Sequence, residues 1–263
     1  MIYVIIFRIE IVVSLDPVFV FSRINSDNSV EMVDMNKKKC LDCRHCFRKN
    51  VLFELLTDEE LDILNDHRTE VLFKKGEIIC KQGSPLTHIV IINEGLAKNY
   101  IEGPRGKNLI ISIVKPYLVN GGPGIYVDMR HYSSLMALVD TKACFIDVNV
   151  FKEVIRKNSV FAEEFIRCFS RNNIHTFGQF VTLTQKNMEG RIAEALLYLK
   201  NDIFKNGSIR HITRQEIADL TGLTKESTIR VMKEFKNECV IDEEDKEILI
   251  LNEEALQKYA ELG

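Results

Sequence analysis

The 263-residue chain shows none of the short motifs that mark a catalytic centre. There is no Ser/His/Asp set, no phosphate-binding Gly-rich loop and no dinucleotide fingerprint. His67, His88 and His131 stand alone, without the spacing that would let them share a metal. No residue is therefore assigned a catalytic role. No apolar stretch is long enough to span a bilayer. Residues 1–14 are apolar, but Arg8 and Glu10 interrupt them and Asp16-Pro17 ends them. They also lack a basic leader and a small-residue cleavage site, which argues against a secretory signal. No membrane partner is expected. Positive charge is not in surplus either: the net charge is −3 and the pI about 6.1, so the chain as a whole does not advertise a polyanion partner. The seven cysteines are odd in number and irregular in layout, unlike a secreted disulfide framework, and a reducing cytoplasm is the natural setting. Internal repeats are absent, and the lysine triplet at 37–39 is the one low-complexity tract.

What is present is most concentrated in ITRQEIADLTGLTKESTIRVMKEFK, residues 212–236. Thr213 can cap a helix, with Glu216 three residues on to reach back to the cap. Ile217, Ala218 and Leu220 give that helix an apolar face, Gly222 breaks it, and Leu223 anchors the turn. Thr224 is a second cap. Ile229, Val231, Met232 and Phe235 supply the buried side of a second helix. On its outer side lie Lys225, Glu226, Ser227 and Arg230. Arg can bond guanine bidentately, and Glu can accept from cytosine N4. Glu226 and Arg230 also suit an ordinary surface ion pair, four residues apart. Helix, turn and second helix in this order favour the base-reading alternative.

This segment resembles the DNA-binding end of the Crp/Fnr family of bacterial transcription regulators. The likeness runs through Thr213-Arg214-Gln215-Glu216-Ile217-Ala218, Gly222-Leu223-Thr224, Glu226 and Arg230, and extends over roughly residues 40–251. It implies that Glu226 and Arg230 read bases, flanked by Lys225 and Ser227. Ile229 departs from it, since relatives often carry Ser beside that Arg. Double-stranded DNA, a second copy of the chain and RNA polymerase are the partners it implies. Local charge agrees. Residues 186–236 carry ten Lys+Arg against seven Asp+Glu, and residues 237–263 carry two against nine. The turn Asp242-Glu243-Glu244-Asp245 should repel phosphate, so the tip of the wing is not expected to grip the DNA backbone.

Upstream, residues 52–64 read as a short amphipathic helix capped by Thr57. The period then changes. Short apolar or alternating runs at 71–73, 77–79, 88–92, 97–100, 109–114 and 135–148 are split by Gly76, Gly83 and Gly95, which argues a compact antiparallel barrel or roll. KKGEIICKQGSPLTHIVIINEG also resembles the sensor roll of the same family. From Val150 the period is helical again. Phe161, Phe165, Phe169, Ile174, Phe177, Phe180, Val181 and Leu183 form an apolar stripe over about six turns. Either the helix lies on its own domain or it forms a dimer seam; its place between two small modules favours the seam. A small hairpin, 239–242 and 247–251, closes the chain.

Cys40, Cys43 and Cys46 form a tight run whose two-residue gaps let sulfurs converge on one metal. Lys37, Lys38, Lys39, Arg44, Arg48 and Lys49 around it favour thiolates. The resemblance implies an iron–sulfur cluster on three N-terminal cysteines with Cys144 of the roll as the fourth ligand. The gap between Cys43 and Cys46 is narrower than the family's. Zinc with His45, redox-active thiols, or no ligand at all remain as alternatives. Cys80, Cys168 and Cys239 read as small buried hydrophobes. Cyclic AMP is not expected: Gly121-Gly122-Pro123-Gly124 contains no Glu, and Tyr132-Ser133-Ser134-Leu135 no Arg, to meet its phosphate.

The expected class is therefore α+β, in four parts. Residues 1–34 are an extension, either β-rich or disordered, or else a stretch upstream of a native start at Met35. Residues 35–150 are a cupin-like, cyclic-nucleotide-binding-domain-like β-roll sensor. Residues 151–185 are a dimerisation helix. Residues 186–263 are a winged helix-turn-helix. The expected function is a sequence-specific transcription regulator that binds a two-fold-related DNA site as a dimer. A thiol or metal redox sensor with weak or no DNA binding, and a cupin-like enzyme, are the alternatives.

Overall fold

The computed structural model describes residues 22–24, 30–32 and 52–263, apart from 118, 121 and 206. The chain forms two units, residues 1–37 and 38–263. In the first, strands β1 (Ser22–Ile24) and β2 (Val30–Met32) pair antiparallel.

In the second unit a 3-10 turn (Phe53–Leu55) precedes α1 (Asp58–Asp66). Thr57 caps it: its hydroxyl accepts from the Glu60 N–H at 3.2 Å, and the Glu60 carboxylate accepts the Thr57 N–H at 2.9 Å. The chain then folds into two four-stranded antiparallel sheets. One has the order β3 (Arg68–Phe73), β10 (Thr141–Asp147), β5 (His88–Glu94), β8 (Val119–Asn120). The other has the order β4 (Ile78–Cys80), β9 (Ser134–Ala137), β6 (Ala97–Glu102), β7 (Asn108–Val114). Strand β5 is apolar on both faces because both are covered. Val90 and Ile92 point into the interior between the sheets, with Ile79, Leu135 and Phe145. Ile89 and Ile91 point out to a helical cover that includes Leu61, Leu64 and Phe151. Gly95 has φ +98°, and a Cβ there would lie 2.6 Å from the Thr141 hydroxyl, so the β5–β6 turn requires glycine. The run expected at 135–148 is two strands, β9 and β10, separated by a turn.

Helix α2 (Val148–Lys157) starts where the Asp147 carboxylate accepts the Asn149 and Val150 N–H groups. Asn158 ends it and caps α3 (Ser159–Gln185), accepting from the Phe161 N–H at 2.9 Å. From there α3 runs on unbroken through Gly178. Its apolar stripe does two things. Phe161 is fully buried in the roll's helical cover, 6.0 Å from Phe53 and 5.6 Å from Phe151 between ring centroids, and Phe165 packs beside Phe151. Ile166, Ile174, Phe177, Phe180 and Val181 are exposed. Phe161 and Phe165 therefore belong to the roll, and the run of exposed apolar side chains lies further along, from Ile166 to Val181.

The C-terminal module comprises α4 (Met188–Tyr198), which continues as a π-helical turn at Leu199–Ile203, then α5 (Arg214–Thr221), α6 (Lys225–Asn237), the hairpin β11 (Ile241–Glu244)–β12 (Glu247–Ile250), and α7 (Glu253–Leu262). Sequence periodicity did not indicate α7. Only Leu256 and Ala260 of it are buried, and it packs against α4. Leu96, Tyr100, Ile110, Ile113 and Leu138 of the roll share one core with Leu196, Leu199, Ile217 and Leu220 of this module. The Ile113 N–H donates to the Tyr198 hydroxyl at 3.0 Å across the same junction. Among the described residues no helix is long and apolar enough to cross a membrane.

Candidate nucleic-acid interface

Helices α5 and α6 owe their ends to local chemistry. The Thr213 hydroxyl accepts from the Glu216 N–H at 3.3 Å, and the Glu216 carboxylate accepts the Thr213 N–H at 2.9 Å. Gly222 ends α5 in the left-handed region at φ +64°, where a Cβ would press on Leu183 of α3 at 3.2 Å. Thr224 caps α6, accepting from the Ser227 N–H at 3.2 Å. Thr228, Val231, Met232 and Phe235 are buried and hold α6 against α5 and α4. Ile229 does not join them: it is 46% exposed, beside Arg230, so its assignment to the buried side is corrected. It lies one position off the seam, so its side chain points outward.

The outer face of α6 carries the residues expected there. Thr224, Lys225, Glu226 and Arg230 are exposed and Ser227 is half-buried. Among the described residues no ion pair joins Glu226 to Arg230. Arg230 instead directs one nitrogen to the Met188 sulfur at 3.6 Å, a weak acceptor that leaves most of the guanidinium donors open. The side chains are thus presented outward, and the surface ion pair weighed as their alternative is absent from this face.

Behind this face the module is tied to the roll. Lys98 of β6 reaches the Glu216 carboxylate at 3.1 Å, and both side chains are nearly buried. Burial pushes the Glu216 carboxyl up, but hydrogen bonds from Thr213 and the Lys98 charge outweigh it and hold the carboxyl below its usual range. Asp219, one turn on, is also nearly buried. Burial holds its carboxyl above the usual range, against a hydrogen bond from Gln215 at 2.8 Å and the charge of Lys98. In the first turn of α5, Arg214 pairs with Glu243 of the wing, and Lys236 of α6 pairs with Asp242 at 2.8 Å. Sequence reading took the acidic wing as repelling phosphate and missed these two cations. Arg214 and Glu243 are distant in sequence, and no spacing signals their meeting.

Of the expected metal ligands, Cys40, Cys43 and Cys46 lie outside the described residues. Cys144 sits in β10, fully buried, with its sulfur 2.9 Å from Arg68 Nη1 and 2.8 Å from Asn93 Nδ2. Burial pushes its thiol up to about 11, with Arg68 pulling down and Glu70 pushing up. No group of three His, Cys, Asp or Glu side chains suited to a metal occurs among the described residues. The Cys144 sulfur thus lies between the Arg68 and Asn93 donors. Cys80 and Cys168 are half-buried. Cys239 is exposed in the turn after α6 at φ +55°, which corrects its reading as a buried hydrophobe. In the roll, Ser134, from a stretch expected to lack a phosphate partner, donates its hydroxyl to Glu102 of β6, which pairs with Lys81 at 2.6 Å. Arg130 points its guanidinium to the Gly83 carbonyl at 2.8 Å.

Two family models match. Residues 70–158 match the cyclic nucleotide-binding domain and residues 190–259 the Crp-like helix-turn-helix domain, together more than half of the chain. The chain is 24% identical over 214 residues to a CRP-like cAMP-activated global transcriptional regulator of Mycobacterium tuberculosis, covering 80% of this chain and 96% of that one. It is 28% identical over 212 residues to electron transport regulator A of Shewanella oneidensis, covering 78% and 84%. In three dimensions it resembles FixK2 from Bradyrhizobium japonicum with a TM-score of 0.67, at 19% identity, over 73% of this chain and 96% of that one.

Proposed function

The chain belongs to the Crp/Fnr family of DNA-binding transcription regulators, which respond to a signal at a cyclic-nucleotide-binding-type roll, and from that premise we propose that it reads a two-fold-related DNA site as a homodimer through Thr224, Lys225, Glu226, Ser227 and Arg230. One observation carries the reading: Glu226 and Arg230 stand on the outer face of α6 with no ion pair between them, which leaves both free for base edges. Lys225, at the helix start, suits a phosphate. The parts proposed are a sensor at 35–150, a dimerisation segment at 151–185 in which α3 rather than α2 carries the seam, and the winged module at 186–263. The exposed apolar row from Ile166 to Val181 supports the pairing of two α3 helices, since an apolar face of that length is costly to leave in water. The protein would work in the cytoplasm, with RNA polymerase as a further partner, and the family is one of regulators rather than enzymes. The test is selection of bound sites from a random duplex pool. Wild-type protein should return a palindrome, and Arg230→Ala should relax one base pair in each half-site. An unchanged selected sequence would remove Arg230 from base reading.

For the signal, cyclic AMP is not proposed, because Gly121-Gly122-Pro123-Gly124 brings no Glu and Tyr132-Ser133-Ser134-Leu135 no Arg to meet its phosphate. The thiol run at Cys40, Cys43 and Cys46 supports a metal or redox input, and a relative named for electron transport regulation is compatible with it. A fourth-ligand role for Cys144 would require Arg68 and Asn93 to release its sulfur. An anaerobic absorption spectrum with iron and zinc analysis, on wild type, Cys43→Ser and Cys144→Ser, separates the alternatives. Colour lost in Cys43→Ser alone leaves Cys144 as a structural thiol.

A further inference from the structure

The wing hairpin breaks local rules. Its register sets Glu244 directly opposite Glu247, a like-charge pair that destabilises a strand pair. Asp242, Glu243 and Asp245 add three more carboxylates within the same few residues. Two of them have partners on the DNA-binding helices: Glu243 on Arg214, and Asp242 on Lys236 at 2.8 Å. The two pairs differ in position. Arg214 is the first residue of α5, directly after the cap Thr213. In a helix-turn-helix the first helix crosses the DNA backbone, and helix N-termini favour phosphate. Arg214 is therefore where a phosphate would bind, and it is only about one-fifth exposed beneath Glu243. Lys236 lies in the last turn of α6, away from the end that enters the groove.

We propose that Glu243 occupies the Arg214 guanidinium in place of a DNA phosphate, so that the acidic wing is a built-in competitor of the DNA backbone and lowers sequence-independent affinity. This rests on the proposed reading face and concerns a different residue set. DNA must displace Glu243 to gain the Arg214 contact, and the displaced carboxylate stays near the phosphates. Binding held by phosphates alone is thereby weakened, and more of the operator affinity is left to base contacts such as those of Arg230. Salt dependence carries the signature. Arg214 already neutralised by Glu243 adds little to counterion release, whereas Arg214 on a phosphate steepens the slope of log K against log salt by about 0.9.

The test uses full-length protein and a fluorescent random-sequence duplex, titrated between 50 and 200 mM salt, roughly the range over which phosphate contacts dominate. Glu243→Gln should bind it about three- to fivefold more tightly, within what one exposed ion pair supplies, with a slope steeper by about one. Glu244→Gln removes the same charge from the same hairpin without touching Arg214 and should leave the slope unchanged. Adding Arg214→Ala to Glu243→Gln should abolish the steepening. Unchanged or weaker binding by Glu243→Gln overturns the proposal, and so does an equal effect of Glu244→Gln, which would mean bulk charge alone. Failure of wild type to select any site would count against the α6 reading face instead, without touching this comparison on random DNA.

Discussion

Helix α3 is closed at one end and open at the other. At its start Phe161 is sealed into the roll among Phe53 and Phe151, while three turns further on Ile174 and Phe177 lie in solvent. The DNA-binding module repeats the contrast. Behind α5, Lys98 and Glu216 are buried together in a core shared with the roll, and on the far side of α6 Glu226 and Arg230 face outward unpaired. Lys98 and Glu216 satisfy each other internally, because leaving a charge unmatched in a core is costly. Groups that another molecule must reach are left unmatched where water can serve them in the meantime. Burial and pairing thus divide the chain into what holds it together and what it offers.

The largest expected effect sharpens that division within α3. Phe161→Ala should cost about 3–5 kcal/mol of stability, as deletion of a buried ring does, and should appear as an early thermal or denaturant transition. Phe177→Glu should leave the monomer's transition near wild type but give monomers by light scattering, with operator affinity reduced at least a hundredfold, since one half-site alone supplies little binding. A Phe177→Glu protein that remains a dimer would remove the open face from assembly.

The junction comes next. Lys98→Met keeps the packing volume but strands Glu216 in a nearly buried site, and breaking such a pair costs on the order of 3 kcal/mol. Glu216 is also the reciprocal cap of α5, so hydrogen exchange at the start of α5 should rise with the loss of stability. Lys98→Met together with Glu216→Gln should recover part of it, because Glu216 is then no longer a stranded charge, while Asp219 still lacks the charge of Lys98. Arg230→Ala, on the open side, should cost about 1–3 kcal/mol on a specific site and almost nothing in folding. If Arg230→Ala destabilised the fold as much as Lys98→Met, the contrast between the two sides would fail.

The same division explains what the sequence could reveal. The caps at Thr57, Thr213 and Thr224, the turn at Gly222 and the glycine punctuation of the roll were all legible, because each is written within a few residues and acts locally. The outward placement of Lys225, Glu226 and Arg230 on α6 was legible for the same reason. Ile229 misled because an apolar side chain one step off a helical seam still reads as part of it. The break at Asn158 was missed since Asn suits a cap and a helix surface alike, and α7 since two buried side chains make a weak periodic signal. The Lys98–Glu216 pair spans 118 residues, and the Arg214–Glu243 pair also depends on how distant elements come together, which no local pattern encodes.

The smallest expected effect is a pH dependence that sets two buried carboxyls at the junction against each other. Glu216 is held below its usual range, so it contributes stability above its unfolded value of about 4.5, and that contribution is lost as pH falls through its lower folded value. Asp219 is held above its usual 3.8, so its ionised form burdens the fold at neutral pH. Protonating it relieves that burden as pH falls through its raised folded value toward 3.8. On acidification the Asp219 gain therefore opposes the Glu216 loss. Asp219→Asn should remove the gain in advance. The variant should be slightly more stable than wild type at pH 7, and between pH 5 and 3, roughly the carboxylate range, it should fall more steeply. Urea titrations of the two proteins across that interval check the sign. If the variant's curve ran parallel to wild type, Asp219 would not be titrating against the fold, and the acid loss would have to come from carboxylates outside the junction.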